Sequence, residues 1–389
     1  MSTNPSKIEH VQKLLTNFLP DINPKDPQST STLDSHQTQT LKQLISHFNS
    51  SDFSLPNNLA DHKAKEKPRT KKRDNSDDDA LNSTKSEKSN VFRLTQWEIC
   101  SQLNEEALLR VLRADKWDLE KSKARIEETI VWRRECGCDE LDFTNLAADL
   151  RQEAETGKMF VLGFDNLNRP IVHMRPRFQN SNVGPKRFAF AFWLIDRAID
   201  LMPRGVESVC FIIDLAGPQE SPSLKQQREF VRTLSSHYCE RLGQALVINM
   251  PTLFVWFLKL LKPVVDPVTF AKAVFDKANP LDFAPAEQLD SSVGGTNGYE
   301  FDIETYWPAL LDECLKKRQQ RLERWTAQAK QVGSSEWDTE TPLNNSLTAI
   351  SKPSFSDPPL TGAVATPPTS TASLRSLTNE RTNPVTVSV

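Results

Sequence analysis

Hydrophobic residues are concentrated in the middle of this chain, and their spacing changes along it. Between residues 104 and 132 they recur every three or four positions, which predicts two helices, the second with Asp118 as its N-cap. Residues 159–164 and 170–174 read as strands separated by an Asp-Asn-Leu-Asn turn, so a β-hairpin is predicted. Residues 186–202 predict a helix with aromatic residues on several sides, typical of one that is buried all round or lines an apolar cavity.

Two short apolar runs, residues 208–213 and 245–250, are typical of parallel strands covered on both faces. A helix predicted over residues 222–238 separates them, so strand, helix and strand form a βαβ unit. Residues 299–302 predict a last strand, and residues 306–329 a charged helix. The fold class is therefore expected to be α/β, with a mixed or parallel sheet preceded by a group of helices.

Both ends of the 389-residue chain are poor in large apolar residues. Residues 1–90 are rich in Ser, Asn, Asp and Lys, and residues 331–389 in Ser, Thr and Pro, so both are expected to be mostly disordered. Within the first arm, residues 6–19 predict a short helix that forms either alone or only against a partner. The remaining residues, 91–330, have a length that commonly folds as one domain.

Charge and cysteine content narrow the functional classes. The net charge of -3 gives no case for a nucleic-acid partner, and the basic run at residues 63–73 is open to three interpretations: attraction to anionic lipid, nuclear import, or a solvated linker without a role. The N-terminus is polar and shows no secretory signal, so a cytoplasmic location with reduced thiols is expected. The six cysteines do not have zinc-ligand spacing, and no metal or cofactor is predicted.

Residues 247–272 carry a strongly apolar amphipathic segment. Two prolines and two lysines, at positions 251, 259, 262 and 263, break this segment into pieces too short to cross a membrane. The helix is either an ordinary core helix or one that also lies on a bilayer surface.

The end of this segment is built like an anion site. Asp266 suits an N-cap and Pro267 the first helical position, and Thr269 and Lys272 are three residues apart, so they would share a helix face. A hydroxyl beside an ammonium would suit a phosphodiester that carries a sugar-like alcohol. The alternative is a capped helix whose lysine points to water.

Catalytic motifs do not support an enzyme. The sequence has no Gly-x-Ser-x-Gly elbow, no P-loop and no Gly-x-Gly-x-x-Gly after a strand. Asp214, His173 and His237 could in principle join a serine, but no motif fixes their geometry. A hydrolase-like enzyme is therefore the less favoured alternative.

Several sequence blocks occur together in order: LLRVLRADKWDLEKSKARIEETIVWRRE at residues 108–135, CERLGQALVINMP at 239–251, KLLKPVVDPVT at 259–269, and LDSSVGG followed by YWPALL. In these blocks the chain resembles the CRAL-TRIO lipid-binding family, in particular the fungal phosphatidylinositol transfer proteins of the pleiotropic drug resistance branch. The resemblance implies a helical N-terminal lobe at residues 91–150. It also implies an α/β lobe at residues 151–330 whose pocket takes up one phospholipid, closed by a gate helix at residues 251–269.

The resemblance also implies the site residues. Lys116 and Lys272 would neutralise the lipid phosphate, while Glu240 and Thr269 would hydrogen-bond inositol hydroxyls. Many family members place Arg where this chain has Asp115, a change expected to weaken the positive field. The gate helix would contact the acyl chains through four residues: Phe254, Phe257, Leu258 and Leu261.

The pocket lining is expected to be apolar where other family members bind choline. This chain has Val172, Val209 and Phe211 where phosphatidylcholine-binding members offer Ser, Thr and Tyr, and Phe192 completes the predicted lining. Phosphatidylcholine binding is therefore not expected, and a sterol is a candidate second ligand. The expected function is a monomeric, non-enzymatic protein that transfers or presents phosphatidylinositol and touches membranes transiently; the alternative is a lipid-binding scaffold without transfer.

Overall fold

The structure, a computed structural model, describes residues 5–16, 33–57, 59, 62, 91–138, 140–182, 184–218, 223–251, 270–275, 278–327, 331–335 and 337. These residues belong to one compact unit, residues 1–339. The helices within them are α1 (Pro5–Thr16), α2 (Ser35–Phe48), α3 (Gln96–Gln102), α4 (Glu105–Ala114), α5 (Leu119–Glu135), α6 (Thr144–Ala154), α7 (Pro185–Asp200), α8 (Leu224–His237) and α9 (Ile303–Ala327). The strands are β1 (Leu55–Pro56), β2 (Val91–Phe92), β3 (Met159–Phe164), β4 (Pro170–Met174), β5 (Val209–Asp214), β6 (Leu242–Ile248) and β7 (Ala273–Phe275).

The central sheet has the strand order β3-β4-β5-β6-β7. Strands β3 and β4 form the predicted antiparallel hairpin, and the pairs β4/β5, β5/β6 and β6/β7 are parallel. Because α8 connects β5 to β6, the predicted βαβ unit is confirmed. The α/β class with a mixed sheet, preceded by a group of helices, is confirmed as well.

The two faces of the sheet are covered differently. One face packs on the segment that follows the last strand, in a cluster formed by Ile171, Cys210, Ile212, Leu246, Ile248, Ala284, Leu289 and Val293. The opposite face carries Val172 and Val209 and packs on α7, whose residues 190–198 are all buried. The prediction of a helix buried all round is thus confirmed for α7.

Side chains at the helix starts explain where the helices begin. Asn104, Asp118 and Ser223 each accept a hydrogen bond from a backbone N–H in the first turn of α4, α5 and α8, which satisfies a donor that the helix itself cannot pair. Asp118 was the predicted cap of α5, and that prediction is confirmed.

Two segments of the N-terminal arm are packed helices. Helix α1 buries Val11, Leu14 and Leu15 in the same apolar cluster as residues of α9 and β3, and α2 packs on α4 and α5. The expectation of disorder is wrong for these two segments because their few apolar residues fall at helical spacing and meet partners far along the chain. The short helix predicted near the N-terminus is present, and its partner is α9.

One prediction near the C-terminal part of the domain is wrong, and one strand there was not predicted. Residues 299–302 form no strand, because Tyr299 and Phe301 turn their rings onto Phe160 and Asp302 accepts backbone hydrogen bonds at the start of α9. The strand beside β6 is instead β7, a three-residue segment that the sequence pattern did not reveal.

Cys136 and Cys138, expected to be reduced thiols, are joined by a disulfide at the end of α5. Gly137 between them has φ +68°, and the two Cα atoms lie 5.4 Å apart, within the usual range for a disulfide. The other four cysteines take part in no disulfide.

Buried ion pairs join α7 to two other helices. Arg133 of α5 donates to both carboxylate oxygens of Asp196 in α7, at 3.2 and 3.1 Å. Arg318 of α9 bonds Asp200 at 3.0 Å. In the portion of the chain that the structure describes, no helix is both long and apolar enough to span a bilayer.

Candidate functional site

Three of the four residues predicted to line the pocket lie on one face of the sheet, and the fourth, Phe192, lies on α7, which packs on that face. Val172 and Phe211 are paired in register on β4 and β5, and both belong to the apolar cluster that contains Val209. Phe192 of α7 packs against Phe211 and stacks on Phe230 of α8, with ring centroids 5.0 Å apart. The structure therefore brings this predicted set together.

This apolar face is only partly covered by the residues that the structure describes. Phe211 and Ile213 are half-buried although they lie on the central strand β5. Helix α8 has no buried residue, even though its inner side carries Phe230 and Leu234. A large half-exposed apolar wall inside a folded domain indicates a ligand or a further segment that covers it.

The segment that joins β6 to β7 is predicted to be the gate. Residues 252–269 lie outside the described residues, and they include Thr269 and the four predicted gate contacts. The structure does show where this segment leaves and returns, because Pro251 follows β6 and Phe270 precedes β7.

Lys116 lies in the tight turn between α4 and α5. Its φ is +56° and that of Trp117 is +65°, so two consecutive residues with Cβ atoms are in the left-handed region. Each such residue costs about 1–2 kcal/mol. The turn is held by backbone hydrogen bonds from Trp117 to Leu112, 2.7 Å, and from Lys116 to Arg113, 3.1 Å. The Lys116 side chain is exposed.

Glu240 lies in the turn between α8 and β6, and it is also left-handed, with φ +60°. Its Oε2 is buried and has no hydrogen-bond partner among the described residues. Backbone strain and an unsatisfied buried acceptor both cost stability, and such costs are concentrated at binding sites. These two features set Glu240 apart from its neighbours, and its role at the headgroup stays a prediction.

Lys272 lies in the turn between the helical residues 270 and 271 and the start of β7. Its carbonyl accepts hydrogen bonds from Ala245 N, 3.0 Å, and Gln244 Nε2, 2.9 Å. Thr269, its predicted partner on one helix face, lies outside the described residues, so that arrangement stays a prediction. Since β6 and β7 are parallel, Lys272 and Glu240 both lie near the amino ends of these strands.

Asp115 does not present its charge to solvent. Its side chain is 0% exposed, and its two oxygens accept hydrogen bonds from Arg125, each at 2.8 Å. Lys121 approaches the same carboxylate at 3.4 Å. The hydrogen bond to Asp115 raises the pKa of Arg125. Asp115 is therefore paired with Arg125, and the weaker positive field expected from the sequence stays a prediction.

Arg125, which the sequence analysis did not single out, contacts both the turn that carries Lys116 and the end of α8 that precedes Glu240. It lies on α5 in line with Thr129 and Trp132, at the spacing of one helix face, and these residues contact the end of α8. Thr129 is 2.9 Å from His237 Nδ1, and Trp132 stacks on the His237 ring at 4.4 Å. The spacing of these three residues along one helix face was the signal in the sequence from which Arg125 could have been identified.

A small polar cleft of about 50 Å³ lies beside these contacts. It is lined by Arg110, Arg125, Thr129, Cys239 and Arg241, among others. Burial, followed by the charges of Arg133 and Arg125, lowers the pKa of His237 to about 4, so this histidine is neutral at pH 7. The positive charges at the cleft are therefore those of its arginines. The cleft is far too small for acyl chains.

The three residues considered for catalysis have separate partners. His173 contacts the carbonyl of Leu162 at 3.1 Å, and Asp214 accepts hydrogen bonds from Asn249 and Arg177. His237 pairs with Thr129 as described. Among the residues that the structure describes, they do not form one constellation.

Comparison with known proteins identifies the family. Residues 154–295 match the CRAL/TRIO domain. Phosphatidylinositol transfer protein PDR17 of Saccharomyces cerevisiae is 31% identical over 315 residues, which cover 78% of this chain and 83% of that protein. The chain belongs to the CRAL-TRIO family.

Other CRAL-TRIO relatives match parts of the chain. CRAL-TRIO domain-containing protein C23B6.04c of Schizosaccharomyces pombe is 40% identical over 239 residues, which cover 61% of this chain and only 23% of that protein. Phosphatidylinositol transfer protein CSR1 of Eremothecium gossypii is 28% identical over 212 residues, covering 50% of this chain and 48% of that protein. As a CRAL-TRIO protein, this chain is a member of a lipid-binding family.

Proposed function

We propose that this protein takes one phosphatidylinositol molecule into an apolar pocket and transfers or presents it between membranes from the cytoplasm. One arrangement carries the proposal: Glu240, with strained backbone and an unsatisfied buried oxygen, lies with Lys272 at one end of a half-covered apolar wall. Apolar surface suits the acyl chains, and a cationic and hydrogen-bonding end suits an inositol phosphate. Two relatives named as phosphatidylinositol transfer proteins support this ligand.

The energetics explain why such a pocket is useful. Two acyl chains contain ~30 methylenes, and exposing them to water would cost on the order of 24 kcal/mol at about 0.8 kcal/mol each. An apolar pocket offsets most of that cost. The segment 252–269 would close over the wall in water and open at a membrane, with Phe254, Phe257, Leu258 and Leu261 facing the lipid.

The test is lipid uptake from mixed vesicles. The purified protein is incubated with vesicles of phosphatidylinositol and phosphatidylcholine, and the bound lipid is identified by native mass spectrometry. Wild-type protein should carry phosphatidylinositol, Lys272→Ala should lose it, and Lys7→Ala, which removes an exposed lysine from α1, should not. Equal uptake of phosphatidylcholine, or full retention of phosphatidylinositol by Lys272→Ala, would contradict the proposal.

A second measurement separates transfer from the alternatives. Labelled phosphatidylinositol is followed from donor to acceptor vesicles in the presence of catalytic amounts of protein. Movement of intact lipid supports transfer, and uptake without movement supports a scaffold. Release of a lipid fragment supports a hydrolase.

A further inference from the structure

Arg125 makes an unusual number of hydrogen bonds for a half-buried arginine. Its Nε and Nη2 donate to the two oxygens of Asp115, each at 2.8 Å. Its Nη1 donates to the carbonyls of Ser235 at 3.0 Å and Ser236 at 3.1 Å. One guanidinium therefore joins two separate turns of the chain.

The first of these turns contains Lys116. Asp115 is the last residue before Lys116, and its carboxylate has no exposed surface. The bidentate pair fixes both the position and the plane of the Asp115 carboxylate. Because Lys116 follows directly in a strained left-handed conformation, holding Asp115 also holds Lys116.

The second turn contains Glu240. Ser235 and Ser236 are in the last turn of α8, where carbonyl groups lack partners within the helix and carry the negative end of its dipole. A guanidinium at this end determines where α8 stops. The chain then makes the turn in which Glu240 is left-handed before β6 begins, so Arg125 also fixes the start of that turn.

We propose that Arg125 is the positioning residue of the headgroup site, holding the Lys116 turn and the Glu240 turn at a fixed separation. This inference rests on the proposed function, and it assigns a role to a residue outside the set carried by the family resemblance. It also gives Asp115 a role as the anchor for Arg125.

Three variants separate positioning from simple charge balance. Arg125→Met leaves Asp115 buried without its main partner and should lower both the unfolding midpoint and the affinity for phosphatidylinositol, the latter by about tenfold or more. The double variant Asp115→Leu with Arg125→Met removes both charges, so it should recover the unfolding midpoint. Its affinity should stay about tenfold low, because the carbonyls of Ser235 and Ser236 still lack their donor.

The third variant, Arg125→Lys, keeps the charge and the fold but not the planar fork. It should unfold like the wild type and bind phosphatidylinositol about threefold or more weakly. Arg151→Met is the matched control, since it breaks an exposed ion pair with Glu304 on α6 and α9 and should change neither property.

Affinity is measured by titrating each variant with vesicles that contain labelled phosphatidylinositol, alongside the unfolding midpoint. Wild-type affinity in either the double variant or Arg125→Lys would overturn the positioning role, whether or not Arg125→Met folds. If Lys272→Ala loses phosphatidylinositol while all Arg125 variants retain it, the positioning role fails and the proposed function stands. A wild-type protein that takes up no phosphatidylinositol defeats both.

Discussion

Replacing Glu240 with glycine should make the protein more stable and at the same time weaken its hold on phosphatidylinositol. In the folded state, a residue with a Cβ atom at φ +60° costs about 1–2 kcal/mol relative to glycine. Glycine also raises the conformational entropy of the unfolded chain, which reduces this gain in stability by about 0.4–1 kcal/mol. Removing the buried Oε2, which lacks a partner in the described part of the chain, relieves about 1 kcal/mol more. The expected net gain is about 1.5 kcal/mol, or roughly 3–6 °C in the unfolding midpoint for a domain of this size.

Glu240→Ala is the matched control because it removes the same carboxylate but keeps the Cβ atom in the left-handed region. Both variants should lose phosphatidylinositol in the vesicle uptake assay, whereas the alanine variant should be about 1 kcal/mol less stable than the glycine variant. Urea unfolding gives the stabilities. A glycine variant that is less stable than the wild type, or that binds phosphatidylinositol normally, would refute the reasoning.

Three further predictions concern the fold. Leu15→Ala, at a position 1% exposed in α1, should cost about 2–5 kcal/mol in urea unfolding, and a negligible loss would mean that α1 is not part of the core. Asp196→Ala leaves Arg133 buried without its bidentate partner and should destabilise the protein by about 3–5 kcal/mol; a change below about 1 kcal/mol would contradict this. His173 and His237 have pKa values lowered by burial to about 4, so the unfolded chain binds their protons first as pH falls below 6.5. Stability should therefore decrease by about 3 kcal/mol between pH 7.5 and pH 5.5, and an unchanged urea midpoint over that range would be inconsistent with neutral buried histidines.

The sequence was sufficient for the parts of the fold that local chemistry determines. Asp118 caps α5 as predicted, because its short side chain directly before the helix can accept a hydrogen bond from a backbone N–H of the first turn. The hairpin and the parallel strands followed from alternation and from continuous apolar runs. The shared sheet face of Val172, Val209 and Phe211 was also recognisable, since they fall on alternate positions of neighbouring strands, whereas their role in lining a pocket stays a prediction.

The parts that failed depend on partners distant in sequence. Strand β7 has only three residues and exists because β6 pairs with it, which a pattern read locally cannot show. The alternation at residues 299–302 reflects two rings packed on Phe160 rather than a sheet. Arg125 was missed because its partners lie ten residues earlier, across a turn, and about 110 residues later, at the end of α8.

The contact between α1 and α9 has a consequence for how the protein is made. Helix α1 is synthesised about 300 residues before α9, the helix against which it packs. At a synthesis rate of about 5–20 residues per second, the apolar side of α1 remains without this partner for about 15–60 s. During that interval the apolar side of α1 is exposed and can be bound by chaperones. This part of the core is completed only after α9 has been synthesised.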